Sequence, residues 1–163
     1  MTTVETDKLS RSAERVQRAL DSAGITLRVR ELSESARTAK DAALAIGCEV
    51  GQIAKSLIFQ GADSGTAVLI VASGSNRVDV RKAGAEIGET LAKANADFVQ
   101  DTTGFAIGGV PPVGHFNTIP TYVDVDLMQY EVIWAAAGTP RAVFSLSPQQ
   151  LVELTDAKVI AIY

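Results

Sequence analysis

The 163-residue chain has one cysteine, Cys48, and one histidine, His115. A lone thiol cannot close a disulfide within the chain, and one Cys plus one His falls short of a zinc site built from those ligands. No apolar run approaches the roughly 18 residues that a membrane span requires, so a soluble, unsecreted, cytoplasmic protein without membrane partners is expected. Positive charge is also short. Fifteen Lys and Arg stand against nineteen Asp and Glu, for a net charge of −4 and a pI near 5.0. That balance excludes a broad basic face for tight, sequence-independent binding to nucleic acid; no DNA partner is expected, and any RNA contact should be local. What the chain does have is apolar material. Hydrophobic residues make up 47% and the mean hydropathy is +0.16, enough to build one sizeable core, and a single domain over 1–163 is expected.

Local patterns predict the elements. Ala13, Val16, Ala19 and Leu20 recur at helical spacing between Ser10 and Ala23, with Gly24 as the stop. Ile25 to Arg30 alternates apolar and polar residues, which predicts a strand with one wet face. Thr38 with Asp41 resembles a capping box opening a helix that ends at Gly47. Two β-branched apolar runs, Ser56 to Gln60 and Ala67 to Ser73, flank a Gly-Ala-Asp-Ser-Gly turn and predict an antiparallel hairpin. Asp79 caps a predicted helix from Val80 to about Gly88, and a second helical piece is predicted from Glu89 to Asn95. Pro120 to Val125, Glu131 to Ala137 and Ala142 to Leu146 read as strands. Ser147-Pro148 opens a last helix, and Val159 to Tyr163 a last strand. This order is not the steady alternation of a doubly wound fold, and the fold class predicted is mixed α+β.

The densest signal is Thr103 to His115, where four glycines, the adjacent Pro111 and Pro112 and the only histidine fall within thirteen residues. Glycine opens backbone conformations closed to other residues, while proline fixes φ and removes an N–H, so together they build a rigid, shaped loop. Such a loop is either a structural turn or a cradle of bare amides for an oxyanion or carbonyl.

Three stretches resemble a known family when read together: Ile53-Ala54-Lys55-Ser56-Leu57-Ile58-Phe59, then Thr103-Gly104 with Gly108-Gly109-Val110-Pro111-Pro112-Val113-Gly114, then Pro120-Thr121-Tyr122-Val123-Asp124. From about Val29 onward the chain resembles the YbaK family of prolyl-tRNA editing proteins. The resemblance implies a mixed, barrel-like β-sheet surrounded by helices. It also implies an aminoacyl-tRNA deacylase, free-standing or an insertion in prolyl-tRNA synthetase, that removes a wrong amino acid from the acceptor end of tRNA; the free-standing form is expected here, with tRNA(Pro) the carrier and no metal or organic cofactor. Prolyl-tRNA synthetase or an elongation factor is the protein partner it suggests.

By this resemblance Lys55 matches the family's active-site lysine, and Gly108 and Pro112 the ends of its Gly-x-x-x-Pro element. Ester hydrolysis develops negative charge on the carbonyl oxygen, which the N–H groups of Gly108 and Gly109 would stabilise, while Pro111 and Pro112 only set shape. Lys55 would bind a terminal phosphate or orient the ester; otherwise it is a solvated strand-edge lysine. His115 could bind substrate or serve structure alone, and Ser73 could line the pocket or simply make a turn. Asp124 could cap a loop, and Cys48 reads as a small buried hydrophobe. Arg30 and Val143 occupy places where the cysteine-specific branch would have a tyrosine and an aspartate. The Phe-Gly or Phe-Ala ending of the alanine-specific branch is also absent after Pro112. The amino acid removed thus stays open among Cys, Ala, Ser and Thr. The rival readings are a non-catalytic aminoacyl-adenosine or nucleotide-binding module and a synthetase-docking domain.

Overall fold

The computed structural model describes residues 9–163. Helix α1 (Arg11–Ser22) starts where Ser10 Oγ accepts the Ala13 N–H, and its buried stripe of Ala13, Val16 and Leu20 follows the spacing seen in the sequence. The stretch from Ile25 to Arg30 differs from the predicted strand. Only Arg30 and Glu31 form a strand, β1. Upstream of it the main chain is held by a side chain: Gln17 on α1 donates to the Leu27 carbonyl at 2.8 Å and accepts the Val29 N–H at 2.8 Å. With those groups satisfied from the helix, a sheet partner is not required.

Helix α2 (Ala39–Ile46) is capped by the Thr38 hydroxyl and ends at Gly47 in the left-handed region, φ +87°. Strands β2 (Ile53–Gly61) and β3 (Ala67–Ser73) make the expected antiparallel hairpin, and α3 (Val80–Ile87) the expected helix under its Asp79 cap. The helix predicted from Glu89 to Asn95 is instead strand β4 (Leu91–Lys93). Its cause is local. The Glu89 carboxylate accepts the N–H groups of Asp63 and Ser64 in the hairpin turn, and Ala62 donates to the Thr90 carbonyl, which draws the chain alongside β2. Asn95 then caps a helix absent from the sequence prediction, α4 (Ala96–Thr103). The remainder follows as expected: β5 (Thr121–Asp124), β6 (Ile133–Ala136), β7 (Ala142–Leu146), α5 (Pro148–Thr155) and β8 (Lys158–Ile160).

The eight strands form one mixed sheet in the order β1-β7-β6-β2-β3-β5-β8, with β4 also on β2, as the α+β expectation requires. Alternation along β2 and β3 divides the packing. Ala54, Leu69 and Val71 join α1, α4 and α5 in the larger core around Phe105, Ile133 and Phe144, while Phe59, Val68, Ile70 and Ala72 pack against α3. Ile53 meets α2, with Cys48 half-buried beside it. Each large apolar side chain taken fully out of water, such as Phe144 or Ile133, contributes about 2 to 3 kcal/mol.

β2 is forked. β3 follows one edge of it throughout, but the other edge has two partners: β6, parallel, at Ile53 and Ala54, and β4, antiparallel, at Phe59 to Gly61. Between them the sheet has a slot.

Candidate active site

A cavity of about 470 Å³ opens at that slot. Its walls come from β2, α2, β4, β6 and the glycine loop, and they are mostly apolar, with Ala42, Ile58, Ala94, Val110 and Trp134 among them. Its charges have one sign. Arg37, Lys55 and Lys93 line it, and none of the lining residues is an aspartate or glutamate. The Arg30 guanidinium lies over the Trp134 ring, 5.8 Å from its centroid, and adds a fourth cation nearby. On a chain of net charge −4, this is a local basic mouth suited to a polyanion's end.

The side-chain amine of Lys55, near the start of β2, makes no hydrogen bond or ion pair with any described residue. Its amine is held below the usual lysine range, first by burial and then by the Arg77 guanidinium; Asp124 opposes both. Asp124 is fully buried and saturated: one oxygen accepts the Ser73 N–H at 3.0 Å and Asn76 Nδ2 at 2.9 Å, the other the Asp126 N–H at 2.9 Å. It therefore caps a turn and also places negative charge behind Lys55.

The loop is built by hydrogen bonds that hold its shape. Ala106 to Gly109 is a turn closed by the Gly109 N–H on the Ala106 carbonyl at 3.2 Å, with Gly108 at φ +100° in the position where such a turn demands glycine. The Gly108 N–H makes no hydrogen bond with a described residue, and Gly108 lines the cavity. The Gly109 amide, by contrast, is occupied, and its carbonyl accepts the Gly138 N–H at 2.8 Å. Pro111 and Pro112 are buried behind the rim. His115 Nε2 meets the Pro111 carbonyl at 2.7 Å, its ring stands edge-on to Phe105, and burial pushes its pKa down. Arg15 on α1 donates to the carbonyls of Thr103, Gly104 and Gly114 while its guanidinium lies between the Phe105 and Phe116 rings, 4.4 and 4.2 Å from their centroids.

Of the residues singled out in the sequence, then, the cavity brings together Lys55 and Gly108. Gly109, Pro111, Pro112 and His115 form the scaffold behind Gly108. Ser73 lies outside, fully buried, with its hydroxyl on the Gly51 carbonyl at 2.7 Å. Four lining residues went unnoticed as site candidates in the sequence: Arg37, Ser56, Lys93 and Trp134. Ser56 carried a signal, a hydroxyl leading directly into the apolar run Leu57-Ile58-Phe59. Lys93 and Trp134 are brought there by strand register, and Arg37 by the segment leading into α2. Among the described residues no group of three or more His, Cys, Asp or Glu could hold a metal ion, and no helix is long and apolar enough to cross a membrane.

Comparison with known proteins adds four facts. Residues 33–154 match the aminoacyl-tRNA editing domain family. The YwhH protein of Bacillus subtilis is 34% identical over 131 residues, 80% of this chain and 83% of that protein; EbsC of Enterococcus faecalis, described as a candidate Cys-tRNA(Pro)/Cys-tRNA(Cys) deacylase, is 29% identical over 127 residues, 77% of each. A crystal structure described as a candidate trans-editing enzyme for prolyl-tRNA synthetase superposes with a TM-score of 0.90 at 51% identity, covering 95% of this chain and 98% of that one.

Proposed function

The chain belongs to the aminoacyl-tRNA editing domain family, and from that premise we propose that it is a trans-editing deacylase that hydrolyses the ester of mischarged tRNA, with tRNA(Pro) as the carrier. The observation that carries this reading is a single cavity sharing Lys55 and the open amide of Gly108 inside a basic mouth. A water oxygen adds to the ester carbonyl carbon, charge collects on the carbonyl oxygen opposite the Gly108 N–H, and the ribose oxygen leaves with a proton. The products are a free amino acid and a tRNA with a free terminal hydroxyl.

A donor aimed at the developing oxyanion in a partly dry site stabilises the transition state more than the ground state. Lys55, in ammonium form, anchors the terminal phosphate or orients the ester, and Arg37 and Lys93 guide the strand. The lining contains no histidine or carboxylate to act as general base, so water, or a hydroxyl or thiol of the substrate itself, is the attacking group. Activity of this kind places the protein where translation occurs, in the cytoplasm, and docking on prolyl-tRNA synthetase or an elongation factor would offset the modest charge available for tRNA.

The same lack of a base suits one rival, a module that binds aminoacyl-adenosine without hydrolysing it. Deacylation of alanyl, cysteinyl, seryl and threonyl tRNA(Pro) by the protein and by its Lys55→Ala variant decides between them. Turnover of at least one ester that is lost in the variant supports the enzyme; no turnover on any ester supports the binder.

A further inference from the structure

Resting on that reading of the substrate, we propose that the unpaired stretch of β2 reads the terminal adenine of the tRNA through the peptide carbonyl of Ser56 and the peptide N–H of Ile58. The register makes these groups available. Gly74 donates to the Ile53 carbonyl at 2.7 Å and Gly61 donates to the Thr66 carbonyl at 2.9 Å, which fixes the odd-numbered residues of β2 as those whose peptide groups face β3. Peptide groups alternate between edges from one residue to the next, so those of Ser56 and Ile58 face the other edge. There, pairing with β6 stops at Ala54 and pairing with β4 starts at Phe59. The Ser56 carbonyl and the Ile58 N–H thus look into the slot side by side, an acceptor and then a donor, with no ladder partner.

Adenine presents the complement, an N6 amine beside the N1 acceptor. With the side of the ribose fixed by the ester held at Gly108, guanine and inosine present the opposite order at these two positions, so the edge discriminates against them. The slot's dimensions favour a base over a peptide strand, because on this edge only residues 55–58 lack ladder partners and two other strands bound the opening. Apolar Leu57, Phe59, Ala94, Val110 and Trp134 line the cavity and suit the faces of a planar ring held in the plane of the sheet. A second observation marks the same place. Ser56 Oγ is the one buried side-chain polar atom without a hydrogen-bond partner among the described residues. Polar groups left unpaired in a folded interior lower stability, and a cluster of them in one cavity is the signature of a ligand that completes them.

The test uses the full chain and acceptor-stem helices of tRNA(Pro) ending in adenosine, purine riboside or inosine. Binding of the uncharged helices is read by fluorescence anisotropy, and deacylation by the aminoacyl forms. Purine riboside keeps N1 and lacks the amine, so affinity and kcat/KM should fall about tenfold; inosine opposes both groups and should lose about a hundredfold. Equal binding of all three endings overturns the proposal while leaving the deacylase reading intact if esters are still cleaved. Discrimination in binding with no cleavage of any ester does the reverse, and failure of the adenosine helix to bind overturns both. A chain whose residue 58 carries an ester oxygen in place of the peptide N–H gives a second measure. It should fold normally, because that N–H has no ladder partner, and should no longer distinguish adenosine from 1-deazaadenosine endings; a retained preference overturns the proposal.

Discussion

Arg30 and Val143 stand directly opposite one another across the β1–β7 pair. By the family resemblance these are positions at which the cysteine-specific branch would have a tyrosine and an aspartate. Val143 lines the cavity and Arg30 reaches over Trp134, another lining residue. Two changes that look unrelated in the sequence thus alter one patch of wall.

Restoring the polar pair should therefore act jointly. Arg30→Tyr with Val143→Asp is expected to raise the ratio of cysteinyl to alanyl ester cleavage by about tenfold, more than the product of the single changes. Parallel kcat/KM measurements on the two esters check it. An unchanged ratio would mean that this patch does not meet the amino acid.

Lys55→Ala should lower kcat/KM by at least about a hundredfold yet move stability by less than about 0.5 kcal/mol, because the amine has no partner to lose. Arg77→Ala is the subtler test. Arg77 pushes the Lys55 pKa down by like charge, so its removal raises that pKa. If the ammonium is the working form, the alkaline limb of the pH–rate profile moves to higher pH, and a limb that stays in place assigns it to another group.

The two neighbouring glycines should respond in opposite ways. A methyl at Gly108 meets only Pro140 Cγ at 4.0 Å but must adopt φ +100°, costing about 1 to 2 kcal/mol of stability along with a larger loss of turnover as the amide shifts. A methyl at Gly109 would sit 2.7 Å from Thr139 Cα and 2.8 Å from the Gly138 carbonyl. Gly109→Ala should thus lower thermal stability by more than about 3 kcal/mol. Thermal melts paired with turnover separate the two effects.

His115 should show its role through acid stability. Burial lowers its pKa from the ordinary 6.5, so the unfolded chain takes up a proton more readily than the folded one. Its contribution is present above about pH 6.5 and is lost as pH falls below that value. His115→Ala should cost about 1 to 3 kcal/mol near neutral pH, by leaving the Pro111 carbonyl unpaired, and should flatten this part of the acid limb. Denaturant melts between pH 5 and about 7.5 measure both.

Features decided within a few residues were legible in the sequence. Thr38, Asp79 and Ser147 all cap the helices predicted for them, because cap chemistry depends on the side chain and the next turn. The hairpin was equally local. The strand at Leu91 was not, since it depends on Glu89 reaching a turn some 25 residues earlier. The site divides along the same line. Lys55 and Gly108 stood out through a family pattern, whereas Lys93, Trp134 and the fork of β2 arise from pairings between distant segments that no periodicity reports. Gly109 and His115 were conspicuous as residue types, but which of their groups are already bonded is settled only in three dimensions.

Arg15 sits on α1, outside the stretch 33–154 shared with the family, yet carbonyls from both ends of the glycine loop converge on its guanidinium. The glycine loop that presents the Gly108 amide is thus fastened by a helix that lies before the matched stretch. A substitution on this helix can therefore shift the loop without altering any residue that lines the cavity. Divergence among these proteins should accordingly be sought in their leading helices as well as in their cavities.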